Sequence, residues 1–384
     1  MASLPAIHRL PSAPRILVRG TNWLGDAVMT TPALLRLREK FPHAHIALLT
    51  PDKLRDLWAN HPAVNETIPF SDNENVFFVG KKLRAGKFDI ALVLPNSPRS
   101  AIEPWLAGIP RRIGCARPWR NFFLTSAVAS RAGVVKMRKK TAAEVRKLTA
   151  QSSAAVPAAN KPYPAGETPA LPSKTHQIHD YLHLAAALDA NPEPLPPQLM
   201  VTPLEIEAAR KKFGLEEITR PIFGLNPGAE YGPAKRWPVE KFIAAALEIR
   251  RRVACTWIIF GGPADKRIAG QIEQGVDSAV CNLAGHTSLR ELMATMKLCR
   301  VLLTNDTGPM HVAAALGTPV VVPFGSTSPE LTGPGLPGDT RHRLLKSDVP
   351  CSPCFLRECP IDFRCMNGIS VERVVEAVLA AQAS

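Results

Sequence analysis

Short apolar runs alternate along the chain with longer segments in which apolar residues recur every three or four positions. "RILVR" (Arg15 to Arg19) reads as a buried strand, followed by a glycine-bearing loop and the helical run "AVMTTPALLRLREKF". "HIALLT" and "FDIALVLP" (Phe88 to Pro95) are further runs of strand length. Strand–helix alternation of this kind predicts a parallel sheet covered by helices. Pro32 lies inside the first helical run. That helix therefore either starts near Thr31, with proline in its first turn, or kinks there.

The second half repeats the pattern. "PIFGLNPG", "CTWIIFGGP", "RVLLTNDTGP" and "TPVVVPFGS" each read as a strand entering a turn. "PVEKFIAAALEIRRR" and the closing "VERVVEAVLAAQA" have helical spacing. Between the halves, "NPEPLPPQ" (Asn191 to Gln198) reads as a stiff proline-rich connector. The prediction is an α/β protein of two doubly wound, Rossmann-like domains, residues 14–195 and 199–384, facing across a cleft. Ligands of such sheets bind at the carboxyl ends of the strands. One stretch breaks the pattern: about 136–173 is basic first, then rich in Ala, Ser and Pro. It predicts a mobile insertion in the N-terminal domain. "HQIHDYLHLAAALDA" then restores helical spacing.

The length of 384 residues suits two domains, and 46% apolar with 21% charged residues suits a globular protein. No run of 18 apolar residues occurs, and "MASLPAIHRLPSAPR" lacks the pattern of a secretory leader, so the expected compartment is the cytoplasm. Charge alters the picture more. Forty-seven basic against 33 acidic residues leave +14, which implies an acidic partner. Aromatics make up only 6%, and no zinc-finger or RNA-binding motif occurs, which argues against nucleic acid.

The chemistry-bearing residues fall at predicted strand ends. In "RGTNWLGDAV", Gly20 and Gly25 have four residues between them. This is not the G-x-G-x-x-G of dinucleotide enzymes, and Asp26 stands where a P-loop needs lysine. Asp26 is either a stabilising acid in a helix's first turn or a general base at the mouth of a cleft. "NPGAEYGPAKRWP" offers Gly228 and Gly232 for close backbone approach, with Lys235 and Arg236 as cations for a phosphate. In "FGGPADKR", Asp265 is placed to meet a ribose or base, unless the segment is a plain turn. In "NDTGPMH", Thr307 is expected to cap a helix whose first turn contains Pro309, and that helix start forms an anion site. Gly308 allows close approach there. His311 is placed to donate to a phosphate oxygen, and Asp306 suits sugar hydroxyls.

Taken together, "NWLGDAVMTTPAL", "NPGAEYGPAKRWP" and "TNDTGPMHVAAALGTPVVVPFGSTSP" resemble glycosyltransferase family 9, the lipopolysaccharide heptosyltransferases, and most closely its members that add the second inner-core heptose. The resemblance runs from about Arg15 to the C-terminal helix, excepting Lys136–Ser173. It implies a GT-B fold with an acceptor domain followed by a donor domain. It implies inverting transfer from ADP-heptose, with no cofactor or metal required. By the same resemblance Asp26 is the catalytic base and Lys235 meets the donor phosphate. Asp306, Thr307, Gly308 and His311 hold the diphosphate and heptose, and Asp265 matches an acid that contacts the adenosine ribose. The acceptor is the lipid-anchored, anionic lipopolysaccharide inner core. That implies a cytoplasmic protein peripheral to the inner face of the inner membrane, touching an anionic membrane surface. Arg111, Arg112, Arg117 and Arg120 are candidates to meet the acceptor's acidic groups. A different core position, another nucleotide sugar, a sugar-nucleotide epimerase and a binding protein without turnover are the alternatives.

A last cluster is distant in sequence from the catalytic candidates. "CSPCFLRECPIDFRC" spaces Cys351, Cys354, Cys359 and Cys365 by gaps of two, four and five residues. Four thiols so close suit either tetrahedral zinc or a reduced, packed loop.

Overall fold

The computed structural model describes residues 11–135, 137–153, 175–276 and 279–383. Among the described residues, twelve strands form two six-stranded sheets. The first contains β1 (Arg15–Arg19), β2 (His45–Pro51), β3 (Glu66–Phe70), β4 (Ile90–Val93), β5 (Arg111–Cys115) and β6 (Ser126–Val128), in the order β3-β2-β1-β4-β5-β6. The second contains β7 (Ile222–Asn226), β8 (Thr256–Ile259), β9 (Val280–Asn282), β10 (Val301–Thr304), β11 (Val320–Phe324) and β12 (Arg343–Lys346), in the order β12-β11-β10-β7-β8-β9. All pairings are parallel, with Ile16 opposite both Ile46 and Ile90, and Leu303 opposite Leu225 and Val321. Counted from its own first strand, each sheet runs 3-2-1-4-5-6. The central strands are buried along almost their whole length, as the unbroken apolar runs predict for sheets covered on both faces.

The chain divides into two compact units. Described residues up to Val134, with Gln177–Met200, form the first; those of Val135–His176, with Val201 onward, form the second. Leu17, Leu49, Ile68, Val79 and Leu83 lie in one core of the first unit. Phe223, Trp237, Phe242, Trp257 and the C-terminal helix residues Val374 and Val378 lie in the core of the second.

The described part of the segment that looked like an insertion in the N-terminal domain, residues 137–153, groups with the second unit. Residues Ala142–Ser153 form a helix, on which Val145 is buried with Cys351 and Cys354. The Lys140 N–H donates to Cys354 O at 3.0 Å, and Lys140 Nζ to Cys351 O at 3.0 Å. Its composition is poor in large apolar groups. A single buried stripe, Val145 and Thr149 one turn apart, is enough to seat a helix that a neighbouring loop covers. The rest of that predicted mobile stretch, Lys136 and 154–173, lies outside the described residues.

Pro32 marks a break. A short helix, Leu24–Met29, ends at Thr30, and a second, Thr31–Lys40, starts with Pro32 in its first turn. The hydroxyls of Thr30 and Thr31 donate to Ala27 O and Val28 O, tying the two together. The proline-rich connector is fastened to this second helix, with Gln198 N–H donating to Thr31 Oγ1 at 3.1 Å and Arg36 Nε to Glu193 O at 2.9 Å.

In each sheet the chain leaves its first and fourth strands in opposite directions. The crevice between those two strand ends is where doubly wound sheets bind ligands. In the first unit it is bounded by the loops after β1 and β4, and in the second by the loops after β7 and β10.

Candidate active site

In the first unit, the loop after β1 is held from below. Arg19, the last residue of β1, is 1% exposed and pairs with Glu103, which is 0% exposed, at 2.7 Å. Arg19 Nη1 also donates to Gly20 O at 2.6 Å and Asn22 Oδ1 at 3.0 Å, and its guanidinium lies 4.4 Å from the Phe70 ring centroid. Glu103 takes a second donor, Arg99 Nε, at 3.0 Å. A buried ion pair survives only when its remaining hydrogen-bonding capacity is met. Here that capacity is spent on fixing the loop that leads into Asp26. Gly20 is tight, since a Cβ there would meet Leu49 O at 3.2 Å.

Asp26 lies in the first turn of the helix Leu24–Met29 and is half-buried. Trp23 is the N-cap and makes no side-chain cap bond, so Asp26 is a first-turn acid and not the cap. It lines a cavity of about 280 Å³ with Asn22, Asn96, Arg117, Arg131, Gln177 and Tyr181 among the other walls. Gln177 Nε2 donates to Asp26 Oδ1 at 3.3 Å and to Tyr181 Oη at 2.7 Å. Burial, reinforced by the negative charge of Asp26, pushes the Tyr181 phenol well above its usual pKa. Tyr181 is therefore a neutral hydroxyl beside the carboxylate. Gln177 and Tyr181 carry no motif signal; they are ordinary residues of a helical run. Only packing that helix, Ile178–Ala186, onto the first sheet's unit brings them to Asp26.

The four candidate arginines separate. Arg117 lines the cavity. Arg120 is fully buried behind its wall, donating to Pro95 O at 2.7 Å. Among the described residues its Nε and Nη2 have no hydrogen-bond partner, and burial lowers its pKa. Arg111 and Arg112 sit at the start of β5, the end away from the cavity, with Arg112 bonded to Phe123 O and Ile109 O. Arg131, which lines the cavity and pairs with Asp180 at 2.6 Å, had no sequence signal.

In the second unit, Lys235 closes a short helical turn, Pro233–Lys235, after β7. Its Nζ reaches Asp306 Oδ2 at 2.6 Å, and Thr327 Oγ1 donates to the same oxygen at 2.5 Å. Lys235 Nζ also lies 5.0 Å from the Tyr231 ring centroid. Two residues shape this loop. Gly232 has φ 148°, and a Cβ on it would meet Arg357 O at 2.5 Å. Asn305 accepts the Trp237 N–H at 2.9 Å and donates to Pro227 O at 2.7 Å, stitching the loop after β7 to the one after β10. Asn305, Thr327 and Tyr231 escaped the sequence reading because their role is to hold other residues.

The helix Gly308–Ala315 begins as expected, but Thr307 makes no side-chain cap bond. The reason is local. A cap hydroxyl bonds the N–H of the second or third helical residue. The second is Pro309, which has no N–H, and Met310 N–H is turned to Thr307 O at 3.1 Å. An anion at this tip would therefore meet the Gly308 N–H and the positive end of the helix dipole. His311 is buried, and desolvation lowers its pKa to about 4, so the ring is neutral at pH 7. Asp265 accepts the Gly262 N–H at 3.0 Å and packs against Gly228, where a Cβ would meet its Oδ2 at 2.4 Å. The glycines after β7 and β8 thus converge on one carboxylate.

Cys351 and Cys354 are buried with Val145, Cys365 is buried, and half-buried Cys359 accepts the Phe363 N–H. All four are free thiols, and among the described residues no three His, Cys, Asp or Glu side chains gather in a way that would hold a metal.

The tandem of 3-2-1-4-5-6 sheets is the GT-B glycosyltransferase fold. The chain superposes on the structure of E. coli ADP-heptose lps heptosyltransferase II with a TM-score of 0.74 and 28% identity, covering 96% of this chain and 98% of that one. It also shares its fold with a family 9 glycosyl transferase from Veillonella parvula, TM-score 0.76 at 22% identity, covering 96% and 97%. The sequence profile of glycosyltransferase family 9 (heptosyltransferase) matches residues 167–363, and the chain belongs to that family. Lipopolysaccharide heptosyltransferase 2 of Salmonella typhimurium is 33% identical over 331 residues, which are 83% of this chain and 85% of that protein.

Proposed function

We propose that this glycosyltransferase moves L-glycero-D-manno-heptose from ADP-heptose to the heptose already present on the lipopolysaccharide inner core, with inversion. The reading is supported by the relatives' identity over most of the chain. The observation that carries the chemistry is the Asp26 carboxylate on the wall of a sugar-sized cavity, next to a neutral phenol and an amide.

Asp26 accepts the proton of an acceptor heptose hydroxyl as that oxygen attacks the anomeric carbon of the donor. The bond from that carbon to the β-phosphate oxygen breaks, and ADP leaves with the electron pair. A positioned carboxylate base contributes about 10²–10⁴ in rate. Lys235 and the Gly308 N–H meet the charge developing on the leaving diphosphate. Asp306 holds Lys235 in place for that task, and its second oxygen and Thr307 are left for sugar hydroxyls. Neutral His311 supplies one N–H donor beneath the helix tip, and Asp265 takes the ribose. Arg117 at the cavity wall, and Arg120 behind it, give the acceptor site a positive field suited to the anionic core. No cofactor or metal takes part. No helix among the described residues is long and apolar enough to cross a membrane. The enzyme reaches its lipid-anchored acceptor as a peripheral protein at the inner face of the inner membrane.

The deciding experiment incubates the protein with ADP-heptose and a mono-heptosylated core acceptor and weighs the product. One added heptose is expected. Asp26→Asn is expected to bind ADP normally and to lose transfer by at least about a hundredfold. Full transfer by Asp26→Asn would remove Asp26 as base, and sugar release without any acceptor would point to another reaction.

A further inference from the structure

The strongest feature the proposed reaction leaves unused is a group of aromatic side chains in water. Trp119 is 91% exposed, Phe122 79% and Trp105 41%. Trp105, Phe122 and Phe123 form one cluster, with ring centroids 5.3 Å apart for Trp105–Phe123, 5.4 Å for Phe122–Phe123 and 6.5 Å for Trp105–Phe122. They come from the end of the helix Pro98–Leu106 and the short turn Asn121–Phe123. Trp119 stands three residues before Phe122 and has φ 65°, a left-handed conformation that a bulky residue adopts at a cost in strain. No packing repays that strain, since the indole lies almost wholly in solvent. Exposed apolar groups gathered in this way mark an interaction surface.

The charge around the cluster selects the partner. Within the same unit, from Pro104 to Val134, the chain has five Arg and not one Asp or Glu. Arg84 donates to Leu106 O at 2.8 Å and Arg112 to Phe123 O at 2.7 Å, so both guanidinium groups border the aromatic cluster. Arg117, two residues before Trp119, lines the cavity that holds Asp26. Tryptophan and phenylalanine bordered by arginine fit the boundary of an anionic bilayer. There the rings enter the headgroup region and the cations meet lipid phosphates. We infer that Trp105, Trp119, Phe122 and Phe123, with the bordering arginines, are the surface by which this enzyme docks on anionic lipid. This purpose rests on the proposed reading of a lipid-anchored acceptor; the lipid contact itself is measured separately.

The test uses the full chain and a Trp119→Ser/Phe122→Ser double variant, whose sites are exposed and outside the cavity. Both proteins are sedimented with phosphatidylglycerol-containing vesicles and with phosphatidylcholine vesicles. Both are also assayed on a lipid-anchored core acceptor and on its deacylated, water-soluble form. Wild type is expected to favour anionic vesicles, and the variant to lose at least tenfold of that binding. The variant is expected to lose turnover on the lipid-anchored acceptor while keeping it on the soluble one. Equal vesicle binding by both proteins overturns the inference. So does an equal loss of turnover on both acceptors, which would place these residues in acceptor binding. Dissociation of a dimer by the variant, without vesicle binding by wild type, also overturns it and assigns the surface to a second copy of the chain. If wild type turns over neither acceptor but shows patch-dependent vesicle binding, the docking surface stands and the proposed reaction falls.

Discussion

At the residue scale, the site consists of a few reactive groups and a larger number that aim them. Asp26 could be picked out because an acid replaces the lysine of a P-loop, but its setting depends on Gln177 and Tyr181, some 150 positions away in sequence. Gln177→Ala removes the amide that bridges carboxylate and phenol. A misplaced base costs up to about a hundredfold in rate, so kcat is expected to fall about tenfold or more while KM changes little; a change confined to KM would assign Gln177 to acceptor binding. Lys235 is tied to Asp306 at 2.6 Å, so part of its charge is already balanced. Lys235→Ala is expected to weaken ADP binding by about ten- to a hundredfold, as the loss of one charge-assisted contact of roughly 1.5–3 kcal/mol implies. Calorimetric titration with ADP measures this, and unchanged affinity would remove Lys235 from the donor site.

At the scale of elements, apolar runs and glycine-bearing turns announced the strands, and their ends are where the reactive residues lie. The cross-links between elements were not announced. Arg19 ends β1 and Glu103 lies on the helix Pro98–Leu106, and nothing in the sequence pairs them, yet they form a buried pair under the loop that leads to Asp26. Removing one partner of a buried pair leaves the other charge stranded, which costs about 3–5 kcal/mol. Glu103→Ala is expected to lower the urea midpoint of the first unit by a corresponding amount and to reduce transfer by loosening the Gly20–Trp23 loop. A midpoint within error of wild type would show that Arg19 finds other compensation. The helix Ala142–Ser153 teaches the same lesson in reverse. It lies in the stretch read as an insertion of the N-terminal domain, whereas two buried positions, Val145 and Thr149, seat it in the second unit. Composition averages over faces, and packing needs only one.

At the scale of the whole molecule, three buried histidines make stability depend on pH. His61, His311 and His342 each have their pKa lowered by burial from 6.5 to about 4. The unfolded chain takes up these protons near pH 6.5 and the folded protein only near pH 4. Between those values the unfolded state binds more protons, so stability is full above about pH 6.5 and falls as the solution is acidified toward 4. Each histidine accounts for up to about 3 kcal/mol of that loss. The melting temperature is expected to be flat above neutrality with respect to these groups and to drop below pH 6. His61→Phe, which keeps an aromatic ring against Trp58, is expected to make the decline shallower; an unchanged slope would show that His61 titrates normally in the folded state.

The sequence by itself determined two tandem Rossmann-like halves, their family, and the acid, lysine and helix-start motif at the strand ends. These features are local: strand and helix periodicities repeat over a few residues, and glycines sit where the backbone turns sharply. Only the tertiary structure decided that Gln177 and Tyr181 attend Asp26, that Arg19 and Glu103 brace its loop, and that Asp306 grips Lys235. It also decided that Pro309 and Met310 deny Thr307 its cap, and that residues 142–153 pack with the second unit. Apart from the local arrangement at Thr307, such pairings join residues far apart in the chain, and their energies come from burial and from satisfying polar groups, neither of which leaves a periodic trace in the sequence.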